Sequence, residues 1–358
     1  MQTRSDQQFV QVKDVVNELI TPPYSLLLAR AITGPFSPNG SKYIGIHSGP
    51  NGLDKFLLTS IVDETTPDIS DSTGKLMIQG GTQYGCAFHC PFCVFSSLPL
   101  VRNLSQKEII DLFSLSFYLH GRHTGSHRED KRRLVLKFSD NGEPLENPDF
   151  EKIVYGLWWR FGMRKRKALM IKVSTILADT PTSWESLRGL MRFQSDTFET
   201  SSVHLQISRA PYKKEVSCNG ELTAEVVREW SKRNPRDKVC IAPGITSGWD
   251  REKFFSFCKA LLPVKDKVFF RLTVIKPSQK TQEKIILPDQ EYLSLYSDLL
   301  NMGFEVSPLD TSAEYKSELR GAGTLSHLPN GKFYDPRTYQ ISEYVPGIKM
   351  IETNSVCM

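Results

Sequence analysis

Three cysteines carry the clearest chemical signal in the sequence, because all of them fall within one short segment. Cys86, Cys90 and Cys93 stand at C-x3-C-x2-C spacing, with Phe92 just before the last of them. Their thiolates are soft ligands that suit iron–sulfur clusters. A [4Fe–4S] cluster has four irons, so three cysteines leave one iron open to another ligand. The spacing therefore predicts a metal cluster in the loop after the β-rich run 76–79.

Structural zinc is the alternative use of the same loop. Zinc sites usually take four protein ligands, commonly as two pairs of closely spaced Cys or His residues. His89 lies inside the loop, where its ring would struggle to reach the same ion as its neighbours. The other four cysteines are scattered and form no second pair: Cys218, Cys240, Cys258 and Cys357. The spacing favours the cluster, and a zinc-binding interaction protein remains the non-enzyme alternative.

Short β-rich runs alternate with amphipathic runs through most of the chain. The predicted strands are 76–79, 134–138, 169–174, 203–207, 239–242, 268–274 and 304–306. The predicted helices are 106–117, 150–160, 183–191, 224–233, 251–261 and 290–301. This alternation indicates βαβ units and a parallel sheet with right-handed crossovers. We expect an α/β fold, a partial (β/α)6 barrel over 76–308, with its active site at the carboxyl ends of the strands.

The two ends of the chain are expected to lie outside this barrel. Residues 1–75 read as an irregular N-terminal extension with one amphipathic run at 10–20, and residues 309–358 as a C-terminal tail. The extension has 6 Lys/Arg and 8 Asp/Glu, so it does not look like a basic RNA-binding domain. The tail has little periodicity and is a candidate lid over the barrel mouth.

Composition is typical of a globular enzyme. The chain has 358 residues, a net charge of +5 and seven cysteines. Three cysteines committed to a cluster imply a reducing compartment, so we expect a cytoplasmic protein. No apolar run is long enough to span a membrane and no signal peptide is evident, so no membrane partner is expected.

A second motif, Gly142-Glu143-Pro144-Leu145, follows the second predicted strand. Glycine permits a close backbone approach, and a carboxylate at a strand end suits an α-ammonium group. With the cysteine loop, this turn resembles the RlmN/Cfr-type radical-SAM RNA methyltransferases. The resemblance covers about residues 76–325 and includes the segments Gln83–Cys93, Arg102–Ile110, Val173–Thr175 and Ile207–Pro211.

The resemblance implies two cofactors and their ligands. Cys86, Cys90 and Cys93 would hold a [4Fe–4S] cluster, and S-adenosylmethionine (SAM) would bind its open iron. The family's SAM contacts correspond to Gly142, Glu143 and Ser174. Two further SAM contacts of the family look changed here, to Arg209 and Lys276, whose cations we expect to pair with the SAM carboxylate. An external one-electron donor of the flavodoxin or ferredoxin type is also implied.

The chain departs from the family at the positions that carry the methyl group. The family's carrier cysteine corresponds to Ala322, and its second cysteine corresponds to Gln79. Neither alanine nor glutamine supplies a thiol nucleophile. The resemblance therefore implies the family's barrel and cofactors with a different reaction.

The expected function is a radical-SAM enzyme that cleaves SAM reductively to a 5′-deoxyadenosyl radical and acts on a small polar substrate in a biosynthetic reaction. No catalytic residue beyond the cluster ligands is predicted. One alternative is modification of an RNA or DNA base, with the basic segments 128–133 and 160–167 as phosphate contacts. Another is transfer of the aminocarboxypropyl group of SAM, or rearrangement of SAM itself.

Overall fold

The computed structural model describes most of the chain between residues 26 and 342. The described residues are 26–33, 40–49, 52–64, 75–88, 90, 93, 99–124, 133–139, 142–163, 169–197, 201–209, 219–235, 237–245, 249–272, 289–307, 326–327, 333–335 and 340–342. The amphipathic run 10–20, Lys276 and Ala322 lie outside them. Of the two basic segments 128–133 and 160–167, only Arg133 and residues 160–163 are described.

Fifteen strands are described. In chain order they are β1 (Leu26–Thr33), β2 (Gly40–Gly49), β3 (Gly52–Glu64), β4 (Lys75–Gly80), β5 (Gln83–Tyr84), β6 (Arg102–Asn103), β7 (Arg133–Phe138), β8 (Leu169–Thr175), β9 (Ser201–Arg209), β10 (Val239–Pro243), β11 (Val268–Phe270), β12 (Glu305–Val306), β13 (Ser326–His327), β14 (Phe333–Asp335) and β15 (Gln340–Ser342). Ten of them form one sheet in the order β1-β2-β3-β4-β7-β8-β9-β10-β11-β12. Its seven strands from β4 to β12 run parallel, as the alternating pattern predicted.

Six α-helices are described, and each coincides with a predicted amphipathic run. They are α1 (Gln106–Thr124), α2 (Phe150–Leu157), α3 (Pro181–Thr197), α4 (Gly220–Arg233), α5 (Arg251–Leu261) and α6 (Asp289–Asn301). A π-helical turn, Trp158–Met163, continues α2. The α4 and α5 helices begin at side-chain caps, because Asn219 accepts a hydrogen bond from the Leu222 N–H and Asp250 accepts one from the Lys253 N–H. The α/β fold class is thus confirmed.

The parallel strands are apolar on one face, whereas the other face carries mainly polar residues toward the carboxyl ends of the strands and apolar ones such as Val135 and Met170 nearer their amino ends. On β8, for example, Ile171 and Val173 are fully buried in the core, whereas Lys172 and Ser174 are half-buried. Because side chains alternate along a strand, residues in register on neighbouring parallel strands point to the same side. We call the second side the polar face, and it comprises Gln79, Lys137, Lys172, Ser174, His204, Gln206, Cys240 and Phe269.

The N-terminal extension differs from the expectation of an irregular segment. β1, β2 and β3 form an antiparallel meander, and β3 pairs with β4, so the sheet continues across residue 75. The sequence between Thr33 and Asp54 is rich in Pro, Gly, Ser and Asn, which favours loops. Some of these residues instead separate strands: Pro50 and Asn51 stand between the paired Gly49 and Gly52. A stretch of this composition is therefore compatible with paired strands on either side of it.

The C-terminal tail contains a three-stranded antiparallel sheet of β13, β14 and β15. Its use as a lid stays a proposal. Among the helices that the structure describes, none combines the length and apolarity needed to cross a bilayer.

Candidate functional site

The cysteine loop is held between two short paired strands. β5 and β6 pair antiparallel, and the Val101 N–H donates to the Tyr84 carbonyl at 2.8 Å. Gly85 has φ of 73°, and a Cβ at this position would lie 1.9 Å from the carbonyl oxygen of Pro99. The loop therefore needs glycine just before its first cysteine, because the returning chain occupies the space of a side chain.

The three cysteines are half-buried and lie within electrostatic range of one another. Burial raises the pKa of the Cys86 thiol to about 11. A hydrogen bond from the Phe88 N–H lowers this pKa, and the nearby Cys93 raises it further. Burial raises the pKa of Cys90 to about 12, with Cys93 and Cys86 adding to it. Thiols with such pKa values are protonated at neutral pH, so binding a metal would release protons.

The thiols do not form a preassembled metal site. Within the part of the chain that the structure describes, no three His, Cys, Asp or Glu side chains are grouped closely enough to hold a metal ion. Backbone contacts fix part of the loop all the same, since the Cys93 N–H donates to the Cys90 carbonyl at 2.9 Å.

The Gly142-Glu143 turn packs against the stem of this loop. Gly142 has φ of 90°, and a Cβ there would lie 2.4 Å from the Cβ of Gln83. The next N–H, that of Glu143, donates to Oε1 of Gln83 at 2.8 Å. Glycine is thus required both for the backbone conformation and for the close approach to Gln83.

The Glu143 side chain is buried, with 4% of its surface exposed. Its carboxylate accepts hydrogen bonds from the Thr175 hydroxyl, from the Ile176 N–H at 2.9 Å and from the Leu145 N–H at 3.4 Å. Burial raises the pKa of Glu143 to about 7, because desolvation outweighs these three hydrogen bonds. Glu143 also contributes to the raised thiol pKa values of Cys86 and Cys90, so it lies in electrostatic range of the loop.

Two buried amides tie the loop stems to this turn. Gln83 also donates from Nε2 to Oδ1 of Asn103, at 2.8 Å. Asn147 donates from Nδ2 to the carbonyls of Thr82 at 3.0 Å and Leu104 at 2.9 Å. Both ends of the cysteine loop and the Gly142-Glu143 turn are therefore one hydrogen-bonded unit, which we call the amide clamp of Gln83 and Asn147.

Sequence reasoning missed Gln83, Asn147 and Thr175 as parts of the site. A weak signal existed, since each is a polar residue beside a predicted motif: Gln83 before the cysteines, Asn147 after the Gly142–Leu145 turn and Thr175 after Ser174. Their burial, from 0% to 1% exposed, is what distinguishes them from surface polar residues.

The other predicted SAM contacts are only partly described. Ser174 lies near the end of β8, and its hydroxyl is buried without a hydrogen-bond partner among the residues that the structure describes. Arg209 is the last residue of β9, at the same edge of the sheet, and nothing is described of its side chain. Gln79, at the family's second cysteine position, lies on the polar face in register with Lys137.

These residues fit the two implied cofactors. Three soft thiol ligands in one loop suit an iron–sulfur cluster with an open iron. The buried Glu143 carboxylate is an acceptor for an ammonium group, and the unpartnered Ser174 hydroxyl is a donor for a carboxylate. The amide clamp holds the carboxylate-bearing turn beside the loop.

The sequence matches known proteins over a short stretch. It is 38% identical over 80 residues to a probable dual-specificity RNA methyltransferase RlmN of Chloroherpeton thalassium. The matched stretch makes up 22% of this chain and 20% of that protein. It is 32% identical over 77 residues to a probable RNA methyltransferase of Rhodopirellula baltica, covering 21% of this chain and 18% of that protein. The match thus spans about a fifth of the length of these curated relatives. No family model matches the chain.

The structural match covers much more of the chain than the sequence matches do. A radical SAM methyltransferase from Sphaerobacter thermophilus superposes with a TM-score of 0.59 and 18% sequence identity, over 82% of this chain and 80% of that one. Identity at this level shows a common fold and no more. The resemblance to RlmN/Cfr-type radical-SAM proteins is therefore confirmed by the sequence match over part of the chain, and the fold is shared with a radical SAM methyltransferase over most of it.

Proposed function

We propose that the chain is a radical-SAM enzyme acting on a small polar substrate. Cys86, Cys90 and Cys93 would hold the [4Fe–4S] cluster and leave one of its irons open to SAM. When bound, these groups supply one-electron reductive cleavage of SAM and a 5′-deoxyadenosyl radical. The observation that carries the proposal is the amide clamp, which joins the loop bearing three soft ligands to a turn bearing a buried carboxylate.

The protein's part in this chemistry is to bind and orient SAM. Glu143 would accept hydrogen bonds from the ammonium group of SAM, and burial strengthens that attraction by excluding water. The hydroxyl of Thr175 and the N–H of Ile176 fix the carboxylate in place. Ser174 would donate to the carboxylate of SAM, and we assign Arg209 and Lys276 as cations for the same group.

Access for an electron donor is supported by exposed apolar residues beside the loop. Leu100 and Val101 are 39% and 67% exposed, and they lie between the cysteine segment and β6. An external donor of the flavodoxin or ferredoxin type would approach the cluster here. The C-terminal tail, 309–358, is proposed to exclude water and stray hydrogen donors from the substrate.

Anaerobic reconstitution tests this function. The protein is loaded with iron and sulfide, reduced with dithionite and incubated with SAM, and its metals and products are measured by mass spectrometry. We expect about four irons per chain and 5′-deoxyadenosine. Methylthioadenosine above the spontaneous background would indicate aminocarboxypropyl transfer instead. One tightly bound zinc without SAM cleavage would indicate a zinc-binding interaction protein.

Methylation of RNA is the second candidate, and the names of the two curated relatives favour it. The residues at the methyl-carrying positions oppose it, because alanine and glutamine replace both cysteines of the resembled family. Co-purified RNA, steeply salt-dependent RNA binding and methyladenosine among the products would favour RNA. A small-molecule enzyme should show none of the three.

A further inference from the structure

Two serine hydroxyls lie next to each other at the carboxyl edge of the parallel sheet. Phe138 at the end of β7 pairs in register with Val173 of β8. The next residues along the two strands, Ser139 and Ser174, therefore come opposite each other. The backbone ladder continues to Ser139, because its N–H donates to the Gly80 carbonyl of β4 at 3.4 Å. Since side chains alternate along a strand, Ser139 points to the same side as Ser174, the side of the polar face.

Neither hydroxyl has a hydrogen-bond partner within the part of the chain that the structure describes, although both oxygen atoms are buried. Buried hydroxyls are normally hydrogen-bonded, and an unpartnered one is costly because it has given up its water. On the β4 side of Ser139 stand Gly80 and Gly81, which have no side chain to offer. Both serines are half-buried as residues, so part of each remains exposed. Two unpartnered hydroxyls at adjacent positions point to a ligand that bonds both.

A carboxylate is the group that suits this pair of hydroxyls. Each hydroxyl can rotate to aim its hydrogen, and an ionised carboxylate has two oxygens that accept several hydrogen bonds. Neighbouring strands lie about 4.8 Å apart, so one carboxylate between them can accept from both serines. A hydrogen bond to an ionised acceptor is roughly twice as strong as one between neutral groups. Such a ligand would thus offset the cost of burying the two hydroxyls.

The end of β8 connects this pair to the Glu143 carboxylate. Thr175, the residue after Ser174, donates its hydroxyl to Glu143. The ammonium and carboxylate groups of SAM are attached to the same carbon atom, so the residues that bind them must lie close together. The proposed acceptor for the ammonium group and the two serines meet at the same strand end.

We propose that Ser139 is a further SAM-binding residue, which donates to the SAM carboxylate together with Ser174 and makes the site select SAM over analogues that lack this group. The inference rests on the proposed function, from which it takes the ligand of Ser174. Of the two serines, the family resemblance assigns only Ser174. Ser139 is identified by its place in the sheet and by its unpartnered hydroxyl.

Isothermal titration tests the inference without requiring turnover. The protein is reconstituted with its cluster and kept oxidised, so that SAM binds and is not cleaved. SAM is compared with decarboxylated SAM, which keeps the adenosine, the sulfonium and the amino group. Ser139→Ala should weaken SAM binding about tenfold, because a hydrogen bond to an ionised group is lost. It should change the affinity for decarboxylated SAM less than about twofold, since that ligand makes no use of the hydroxyl.

Ser231→Ala is the matched control. It removes another buried hydroxyl that has no hydrogen-bond partner among the described residues, in the last turn of α4, which leads back to the start of β10. Its affinity for SAM should equal that of the wild type. Urea unfolding without ligands gives a second readout. The midpoint of Ser139→Ala should not fall below that of the wild type, because the hydroxyl has no bond to lose.

Three results would overturn the inference: an unchanged SAM affinity in Ser139→Ala, an equal loss of affinity for SAM and for decarboxylated SAM, or a lowered urea midpoint that shows a structural role. A wild type that cleaves SAM, with normal SAM affinity in Ser139→Ala, contradicts this inference alone. Carboxylate-dependent SAM binding that needs Ser139, in a protein that does not cleave SAM when reduced, supports the inference and contradicts the proposed function.

Discussion

The backbone N–H of Glu143 donates a buried 2.8 Å hydrogen bond to Oε1 of Gln83, a residue 60 positions earlier in the chain. The same side chain donates to Asn103 on the far stem of the cysteine loop. One amide therefore joins both stems of the loop to the Gly142-Glu143 turn. Because Gln83 and Glu143 are buried, breaking the arrangement leaves the Glu143 N–H without water or a partner.

Gln83→Leu should destabilise the protein by about 2–4 kcal/mol, since the Glu143 N–H and the Asn103 amide oxygen both lose their partner. Urea unfolding measures the change. Gln106→Leu is the matched control, because Gln106 donates to the Lys152 carbonyl at an exposed site. It should lose less than about 1 kcal/mol. Equal losses in the two variants would contradict the structural importance of Gln83.

Gly142→Ala should weaken SAM binding at least tenfold, because a Cβ would collide with the Cβ of Gln83 at 2.4 Å and displace the Glu143 turn. Gly303→Ala is the control. Gly303 has a similar φ of 83°, but a Cβ there meets only the flexible end of Lys265, at 3.1 Å. Isothermal titration with SAM should show normal affinity for Gly303→Ala. Normal SAM affinity in the Gly142→Ala variant would show that the turn is not part of the SAM site.

Glu143 should make stability depend on pH in the protein without cofactors. Burial raises its folded-state pKa to about 7, so the folded state holds more protons than the unfolded state between the ordinary glutamate pKa and about 7. Wild-type stability should therefore fall as the pH rises through this window. Relative to Glu143→Gln, the loss from about pH 5 to pH 8 should be on the order of 1–3 kcal/mol. Parallel stability profiles for the two proteins would contradict the raised pKa.

Ala322→Cys should not produce an RNA methylase. The position corresponds to the methyl carrier of the resembled family, but the second cysteine position is Gln79, which lies on the polar face beside Lys137. A carrier thiol alone lacks the partner cysteine that the family uses. RNA from the reaction is digested and its nucleosides are measured by mass spectrometry. Methyladenosine formed by Ala322→Cys would contradict our reading of these departures.

Much of the parallel sheet could be predicted from sequence, because its signals are local. The strand predicted at 169–174 is observed as Leu169–Thr175, and the helix predicted at 251–261 has those same bounds, following its Asp250 cap. The amide clamp could not be predicted, because Gln83 and Glu143 meet across 60 positions and only the fold brings them together. The periodicity of β7 and β8 likewise did not predict that Lys137 and Lys172 are paired in register on neighbouring strands.

The most direct test of the central claim compares Cys90→Ala with Cys258→Ala. Cys258 is fully buried on α5, away from the cysteine loop in sequence and outside the proposed site, so its replacement controls for the loss of a buried thiol. Both variants are reconstituted anaerobically and assayed for iron and for 5′-deoxyadenosine. Our account predicts that Cys258→Ala retains about four irons and SAM cleavage, whereas Cys90→Ala loses both together. SAM cleavage at the wild-type rate by Cys90→Ala would contradict the account.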